Sequence, residues 1–373
     1  MEFKFKKALP IAALLCGLVG SAFGASQQDR HQNMNRPAGQ IQDDGQGMMR
    51  DITPSAGPRV SNGADVFITA DFILWSPRVE GMGYAWTGLG DDISSVSRGS
   101  VKYPNWRWEP GFKVGLGLSL DHDGWDLYAE YTWLQSKRND AVDYNSTLAP
   151  LWDINAQLYP YASNESNSDN SIRTASSQWK LSYNVIDLSL GRNYFISQYL
   201  TLRPFFGFKG AWINQKWRVQ YTLPDNVLPI DATNARMDND QDYWGFGMLT
   251  GLDTAWHFTK EFSIYGNFDL SLLWSNFKTT RRDVDSSLVA SSSNPQVNVN
   301  TLNDFHTIKP VMELEMGLRY ETWFSDDDYH FMIQAGWSEV VWSNFNQLFS
   351  LVEQGSHGDF TLQGLTVKAR FDF

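Results

Sequence analysis

Cysteine is almost absent from this chain of 373 residues, with one at Cys16. Long apolar runs are missing too. A helical membrane protein needs several stretches of about 20 apolar residues, and beyond the N-terminus there is none. Charge is sparse, at 19% Asp, Glu, Lys and Arg, and the basic share is outweighed, with 30 Lys and Arg against 42 Asp and Glu. A net charge of −12 offers no basic surface for phosphate contacts, so no nucleic-acid partner is expected. What is plentiful is aromatic: 16 Trp, 15 Tyr and 23 Phe, with 29 Gly beside them. Aromatic-rich, glycine-rich, cysteine-poor and moderately polar is the composition of a membrane β-barrel.

Lys4, Lys6 and Lys7 precede an apolar stretch from Ala8 to Gly20, and Ala22-Phe23-Gly24 fits a small-x-small cleavage pattern. Residues 1–24 read as a secretory signal peptide, too short to span a bilayer. Leu15 stands before Cys16 where a lipid-attachment site calls for a small residue, so a lipoprotein is the poorer reading. Cleavage after Gly24 would remove a net +2, leaving a mature chain at −14 without cysteine or disulfides. Residues 25–63, rich in Gln, Asn, Asp, Gly, Pro and Met, read as a flexible periplasmic segment. Met48-Met49 is too little for a metal box.

From residue 64 to the end the dominant period is two. Phe112, Val114, Leu116, Leu118 and Leu120 alternate with Lys113, Gly115, Gly117 and Ser119; the turn Asp121-His122-Asp123-Gly124 follows. Trp125, Leu127, Ala129, Tyr131 and Trp133 then alternate with Asp126, Tyr128, Glu130 and Thr132, completing a hairpin with one apolar face. The pattern recurs in Val66–Leu74, Leu200–Trp212, Trp244–Phe258, Phe262–Trp274, Ile308–Tyr320, Tyr329–Trp337 and Leu365–Phe373. No Asp, Glu, Lys or Arg falls on the apolar face of these segments. That is what lipid demands, since Lys or Arg facing it at mid-depth costs about 2–4 kcal/mol.

Aromatics gather at both ends of the segments. Trp75, Trp133, Trp179, Trp217, Trp274 and Trp342 lie next to long connections. Trp125, Tyr194, Tyr199, Phe258, Phe262, Trp323 and Tyr329 lie next to short ones. Two such belts are expected to be the interfacial girdles of a barrel. Short turns near 121–124, 195–199, 259–261 and 325–328 alternate with long stretches near 76–106, 138–177, 218–242, 278–305 and 343–358, read as periplasmic turns and extracellular loops. In one strand Trp179, Leu181, Tyr183 and Val185 give way to Ile186, Leu188 and Leu190. This slip is read as a bulge near Val185 or as a strand running beyond the membrane. The expectation is an all-β, antiparallel transmembrane barrel of about ten strands, and a pair hidden in 79–106 or 139–170 would raise it to twelve or more.

Several segments, taken in order, resemble the major outer-membrane protein family of Legionella and chlamydia-like bacteria. They are Asp71-Phe72-Ile73-Leu74-Trp75 with Glu80–Ala85, Trp106 through Pro110-Gly111-Phe112 to Trp125, and Asp187–Arg192. Leu202–Phe205 with Gly210-Ala211-Trp212, Gly251-Leu252-Asp253 with Trp256-His257-Phe258, Gln363–Thr366 and Ala369–Phe373 complete the set. The resemblance covers about residues 65–373 without the long loops and implies a pore-forming barrel. The closing strand with its terminal Phe373 also resembles the signal read by the bacterial barrel-assembly machinery. The absence of mature cysteine excludes a disulfide-linked envelope role.

The inner face carries the chemistry. The pore-lining candidates are Lys113, Asp126, Glu130, Arg203, Lys209, Asp253, Asp269, Lys309, Glu313, Glu315, Arg319, Lys368 and Arg370, with Asp71 and Glu321 beside them. If these charges pair tightly, the barrel is plugged and structural; if they leave a wet corridor, it is a pore whose charge rings filter solutes. Gly115, Gly117, Gly245, Gly247 and Gly251 are taken to leave room and favour the pore. No cofactor and no metal is expected. Asp238-Asn239-Asp240-Gln241-Asp242 opens like a calcium loop but has Tyr243 and Leu249 where Gly and Glu belong, so it reads as a solvated acidic loop. Asp326-Asp327-Asp328 reads as a turn. No Gly-x-Ser-x-Gly flags a nucleophile, and His306 and His357 are the histidines placed near the outer rim, so an enzyme is not expected.

The reading is a porin in the cell outer membrane, reached by secretion through the inner membrane and passing small hydrophilic solutes or ions passively. The alternative is a structural or adhesive barrel whose loops, with their polar runs 164–170 and 291–300, bind a partner. Outer-membrane lipid and lipopolysaccharide are the expected surroundings, and a homo-oligomer is left open.

Overall fold

The computed structural model describes residues 65–88, 99–120, 124–143, 148–152, 172–222, 231–288, 296–325, 328–348 and 358–373. The signal peptide and N-terminal segment of the sequence reading lie outside these residues, as do Cys16, His31, His122, His357 and the run 164–170.

Period-two sequence becomes strand throughout. In chain order the strands are β1 (Val66–Val79), β2 (Ala85–Thr87), β3 (Val101–Lys102), β4 (Glu109–Ser119), β5 (Trp125–Asp143), β6 (Leu148–Pro150) and β7 (Thr174–Arg192). There follow β8 (Tyr194–Phe195), β9 (Leu200–Thr222), β10 (Asp231–His257), β11 (Phe262–Leu288), β12 (Gln296–Phe324), β13 (Tyr329–Asn346) and β14 (Gly358–Asp372). Ten of them pair antiparallel in the order β1-β4-β5-β7-β9-β10-β11-β12-β13-β14, and β14 pairs back onto β1, which closes the barrel and leaves no free edge. Gly124, at φ 72°, makes the tight turn into β5. Among the described residues, the pair suspected in 79–106 or 139–170 does not join the barrel. Its described parts, β2, β3 and β6, form a separate three-stranded sheet.

Strand length decides the architecture. A crossing needs about 9–11 tilted residues, whereas β9, β10, β11 and β12 have 23, 27, 27 and 29. These strands run on beyond the bilayer at the end of the long connections, called the outer end here. The stretches 218–242 and 278–305, read as loops, are therefore mostly strand, as are residues 296–300 of the polar run 291–300. In β7 there is no bulge: its register with β5 and β9 is unbroken across Val185. Trp179, Leu181, Tyr183 and Val185 are buried inward, while Ile186, Leu188 and Leu190 face out lower down. The phase slip marks a strand passing out of the membrane.

The outer tryptophan belt needs the same correction. Trp75, Trp179, Trp217 and Trp342 are buried inside the barrel, not set at the lipid interface. Outward at that level stand Trp133, Trp212, Trp244, Trp274 and Trp337, with Trp133 and Trp212 both paired to Asn184 and Trp212 also paired to Trp244. A tryptophan at the end of a strand is at the end of the membrane only when the two coincide. At the inner end Tyr194, Tyr199, Phe258, Phe262 and Tyr329 are exposed as expected and Trp125 is half-buried, but Trp323 turns inward onto His330, ring centroids 4.3 Å apart.

Candidate pore lumen

The lumen has three levels. The outermost is apolar. Trp75, Trp179, Trp217, Trp342, Tyr183, Tyr243 and Phe277 project inward from the strands and pack with segments that enter from the connections. Met82, Tyr84 and Ala85 come from the connection after β1, Trp152 from that after β6, and Phe345 and Leu348 from the end of β13. There the register shifts between Trp342 and Asn346, with Asn344 at φ 49°. Buried polar atoms fasten the pieces. The Trp152 indole donates to the Gly83 carbonyl at 2.8 Å, Tyr221 donates to the Tyr84 carbonyl, and Asn346 donates to that of Glu80 at 2.7 Å. Tyr84 donates to Asp140 at 2.7 Å, and burial together with that carboxylate pushes its phenol well above the usual range.

At the middle level, within the bilayer, charges meet across the lumen. Lys209, 1% exposed, lies 2.7 Å from Asp187 and 2.6 Å from Glu313. Glu130 receives Lys113 at 3.2 Å and Lys368 at 2.9 Å, and Lys368 also reaches Asp71 at 3.4 Å. Tyr128 and Tyr265 donate to Glu130 and Glu315 at 2.6 and 2.8 Å. Charges so far from water hold together because Lys209 and Lys368 are each shared between two carboxylates, Glu130 takes two lysines, and hydroxyl donors take remaining lone pairs.

The innermost level is a cavity of about 170 Å³ at the short-turn end. Its walls are mixed: Arg203, Asp253, Arg319, Gln334, Lys368 and Arg370, with His257, Glu321 and His330, stand among Phe67, Phe195, Trp323 and Met332. Arg203 joins Asp126, with Nε to Oδ2 at 2.9 Å, to Asp253 at 2.8 Å.

All thirteen pore-lining candidates lie on the inward face, but they do not line one corridor. Lys113, Glu130, Lys209, Glu313 and Lys368 belong to the mid-level ion pairs, and Glu315, two residues from Glu313 on the same face, accepts from Ser338 and Tyr265. Asp269 sits beside Gly251. Asp126, Arg203, Asp253, Arg319 and Arg370 border the inner cavity or its immediate partners. Lys309 belongs to the outer level, donating to the Asn344 carbonyl with Phe277 beneath it. The inward glycines do not leave open space. The room beside Gly117 is taken by the Phe67 ring, beside Gly115 and Gly245 by the hydroxyls of Tyr128 and Tyr243, and beside Gly251 by Phe205.

Sequence reasoning missed Asp187, because the slip in β7 hid its phase; its place opposite both Glu130 and Lys209 was the available signal. It also missed that His257 and His330 converge on Glu321, at 3.5 and 3.8 Å, with His330 held by Asp372 at 2.7 Å. Thr201 is 3.4 Å from His257, which is 3.5 Å from Glu321, so Thr, His and Glu stand in sequence at the loose end of hydrogen-bond reach. His306 is on the outside of the barrel, stacked on Trp274 at 5.1 Å. Asp238, Asp240 and Asp242 are not in a loop. They face outward on β10 above the tryptophans, with Asp238 paired to Arg218 and Arg236 and Asp240 to Lys216, while Asn239 and Gln241 between them are buried. Asp328 does lie in a turn; 326–327 are outside the described residues.

A family model described as the Legionella pneumophila major outer membrane protein precursor matches residues 60–373. No curated protein matches the chain. Among solved structures it is similar to the CymD monoaromatic hydrocarbon channel, at 8% identity and a TM-score of 0.30, covering 83% of this chain and 88% of that one. A Pseudomonas aeruginosa FadL homologue gives 7% identity and a TM-score of 0.23, covering 83% and 89%. At these scores neither likeness bears on what this barrel carries.

Proposed function

This chain belongs to the family of the Legionella pneumophila major outer membrane protein, a family of outer-membrane proteins, and we propose that its barrel is a porin passing small hydrophilic solutes or ions by passive diffusion, in a conformation closed on its outer side. The observation that carries this reading is the polar inner half of the lumen. Packed apolar side chains in place of buried ion pairs are often neutral or stabilising, and the outer level of this barrel is filled in that way. Keeping Lys113, Lys209, Lys368 and six facing carboxylates below it favours a path for charged or hydrated solutes. On this reading residues 1–24 direct export through the inner membrane, and the strand ending at Phe373 is read by the barrel-assembly machinery. Opening requires the inserted segments around Met82, Trp152 and Phe345 to withdraw.

The aromatic packing of the outer level favours a second reading, a closed structural or adhesive barrel that presents its long connections to a partner. Single-channel recording of the refolded chain in a planar bilayer separates the two. A porin gives stepwise openings, and Arg319→Gln with Arg370→Gln moves the reversal potential toward cation preference. A folded barrel that stays silent through many insertions removes the porin reading.

A further inference from the structure

On the exterior wall just above the tryptophan girdle, three lysines stand side by side. Lys137 on β5 is directly opposite Lys180 on β7, and Lys180 is directly opposite Lys216 on β9. Trp133, Asn184 and Trp212 form the parallel row four residues further in, a separation of about 13 Å along the strand. All three lysines are exposed on the outward face.

Like charges directly opposite one another on adjacent strands destabilise a sheet, and this wall manages its other charges by pairing them. Asp238 lies 2.5 Å from Arg218 and 3.0 Å from Arg236, and Asp240 lies 3.1 Å from Lys216. Both of these carboxylates are thus engaged on the β10 side. On the other side Lys137 stands opposite Lys180 and Lys180 opposite Lys216, and among the described residues no carboxylate is paired with Lys137 or Lys180. In a chain of net charge −12, two adjacent cations without a paired carboxylate, beside a third that shares only Asp240, are a place where an anion comes from outside.

The height selects the anion. Interfacial tryptophans sit at head-group level, so the lysines, four residues further out on strands tilted about 35–45°, stand about 10 Å above that level, over the polar head groups of the outer leaflet. Their four-carbon stems reach several ångströms toward the bilayer. We propose that Lys137, Lys180 and Lys216 form a binding site for the phosphate groups of an outer-leaflet phosphoglycolipid. Phosphate takes up ammonium donors as point charges, and one or two phosphates bridging the row turn a repulsive set of neighbours into a cohesive one.

The test uses the full refolded chain in phosphatidylcholine vesicles containing diphosphorylated lipid A, vesicles with the same lipid dephosphorylated, or inorganic phosphate in solution. The readout is lipid A retained per barrel after extraction into mild detergent. Retention from the phosphorylated vesicles is expected to fall roughly tenfold or more in the Lys137→Gln, Lys180→Gln double variant, since each Lys near an anionic surface adds appreciably to binding. The Arg pair at the same positions should keep it. Lys278→Gln, on the same wall but opposite Asp242 and Asp304, should also leave it intact. In lipid-free detergent the double Gln variant should melt no lower than the parent, because it loses only repulsion. Equal retention of dephosphorylated lipid, undiminished retention by the Gln pair, or full displacement by inorganic phosphate would each overturn the proposal.

Discussion

Between Leu202 and Trp212, strand β9 turns Leu202, Pro204, Phe206, Phe208 and Trp212 outward and Arg203 and Lys209 inward. Between Ile213 and Tyr221 the same strand turns Asn214, Lys216, Arg218 and Gln220 outward and Ile213, Trp217, Val219 and Tyr221 inward. Backbone, pairing and register are continuous through the change. What differs is the solvent around the barrel. Lipid surrounds the inner half, so apolar side chains belong on its exterior and polar ones in its lumen. Water surrounds the outer half, which behaves like a soluble barrel, with an aromatic core and a charged exterior. One fold is thereby held together by two opposite distributions of apolar surface.

Substitutions can break this comparison or sharpen it. The largest effect is expected inside the outer half. Trp217→Ala removes a ring packed on Trp152 at 5.0 Å and an indole that donates to Ser177 at 2.8 Å. It should cost about 3–5 kcal/mol in urea unfolding from lipid vesicles. The exterior Trp244→Ala should cost clearly less, and equal losses would contradict the assignment of a core. Next comes a charge placed on the exterior. Met248→Arg, at a position 72% exposed in the lipid belt, should cost about 2–4 kcal/mol. Gln220→Glu, on the same face in the outer half and opposite Arg236, should stay within about 0.5 kcal/mol. Gly117→Val should lose about 1–3 kcal/mol through overpacking against Phe67; a neutral result would mean open space in the lumen there. The smallest effect is the exterior pair Arg218–Asp238, whose double-mutant coupling should be about 0.2–1 kcal/mol and should shrink with added salt.

Much of the inner half was legible in the sequence. Alternation in Leu200–Trp212 and Ile308–Tyr320 assigned the lumen face correctly, because a two-residue period with no charge on one face has a single sensible orientation in lipid. The outer half was legible as strand but not as to side. Trp179, Leu181, Tyr183 and Val185 alternate as cleanly as Ile186, Leu188 and Leu190 do, and nothing local says which set meets lipid. Hence the phase change read either as a bulge or as a strand running beyond the membrane, of which the unbroken register leaves the second, and Trp75, Trp179, Trp217 and Trp342 looked like a girdle. The inner glycines misled for a related reason. A missing side chain looks like free volume until the ring of Phe67 is seen to occupy it.

By itself the sequence determined the strand class, the inward direction of Lys113, Lys209, Glu313 and their companions, and the aromatic girdle at the short turns. Those features follow from side-chain period and from the cost of charge in lipid, both of which act residue by residue. The tertiary structure alone decided that Lys209 is shared between Asp187 and Glu313, that Trp152 and Phe345 close the outer lumen, and that Lys137, Lys180 and Lys216 stand in one row. Each of these depends on the register between strands far apart in the chain. Register is a collective property of the closed barrel, and no single segment contains it.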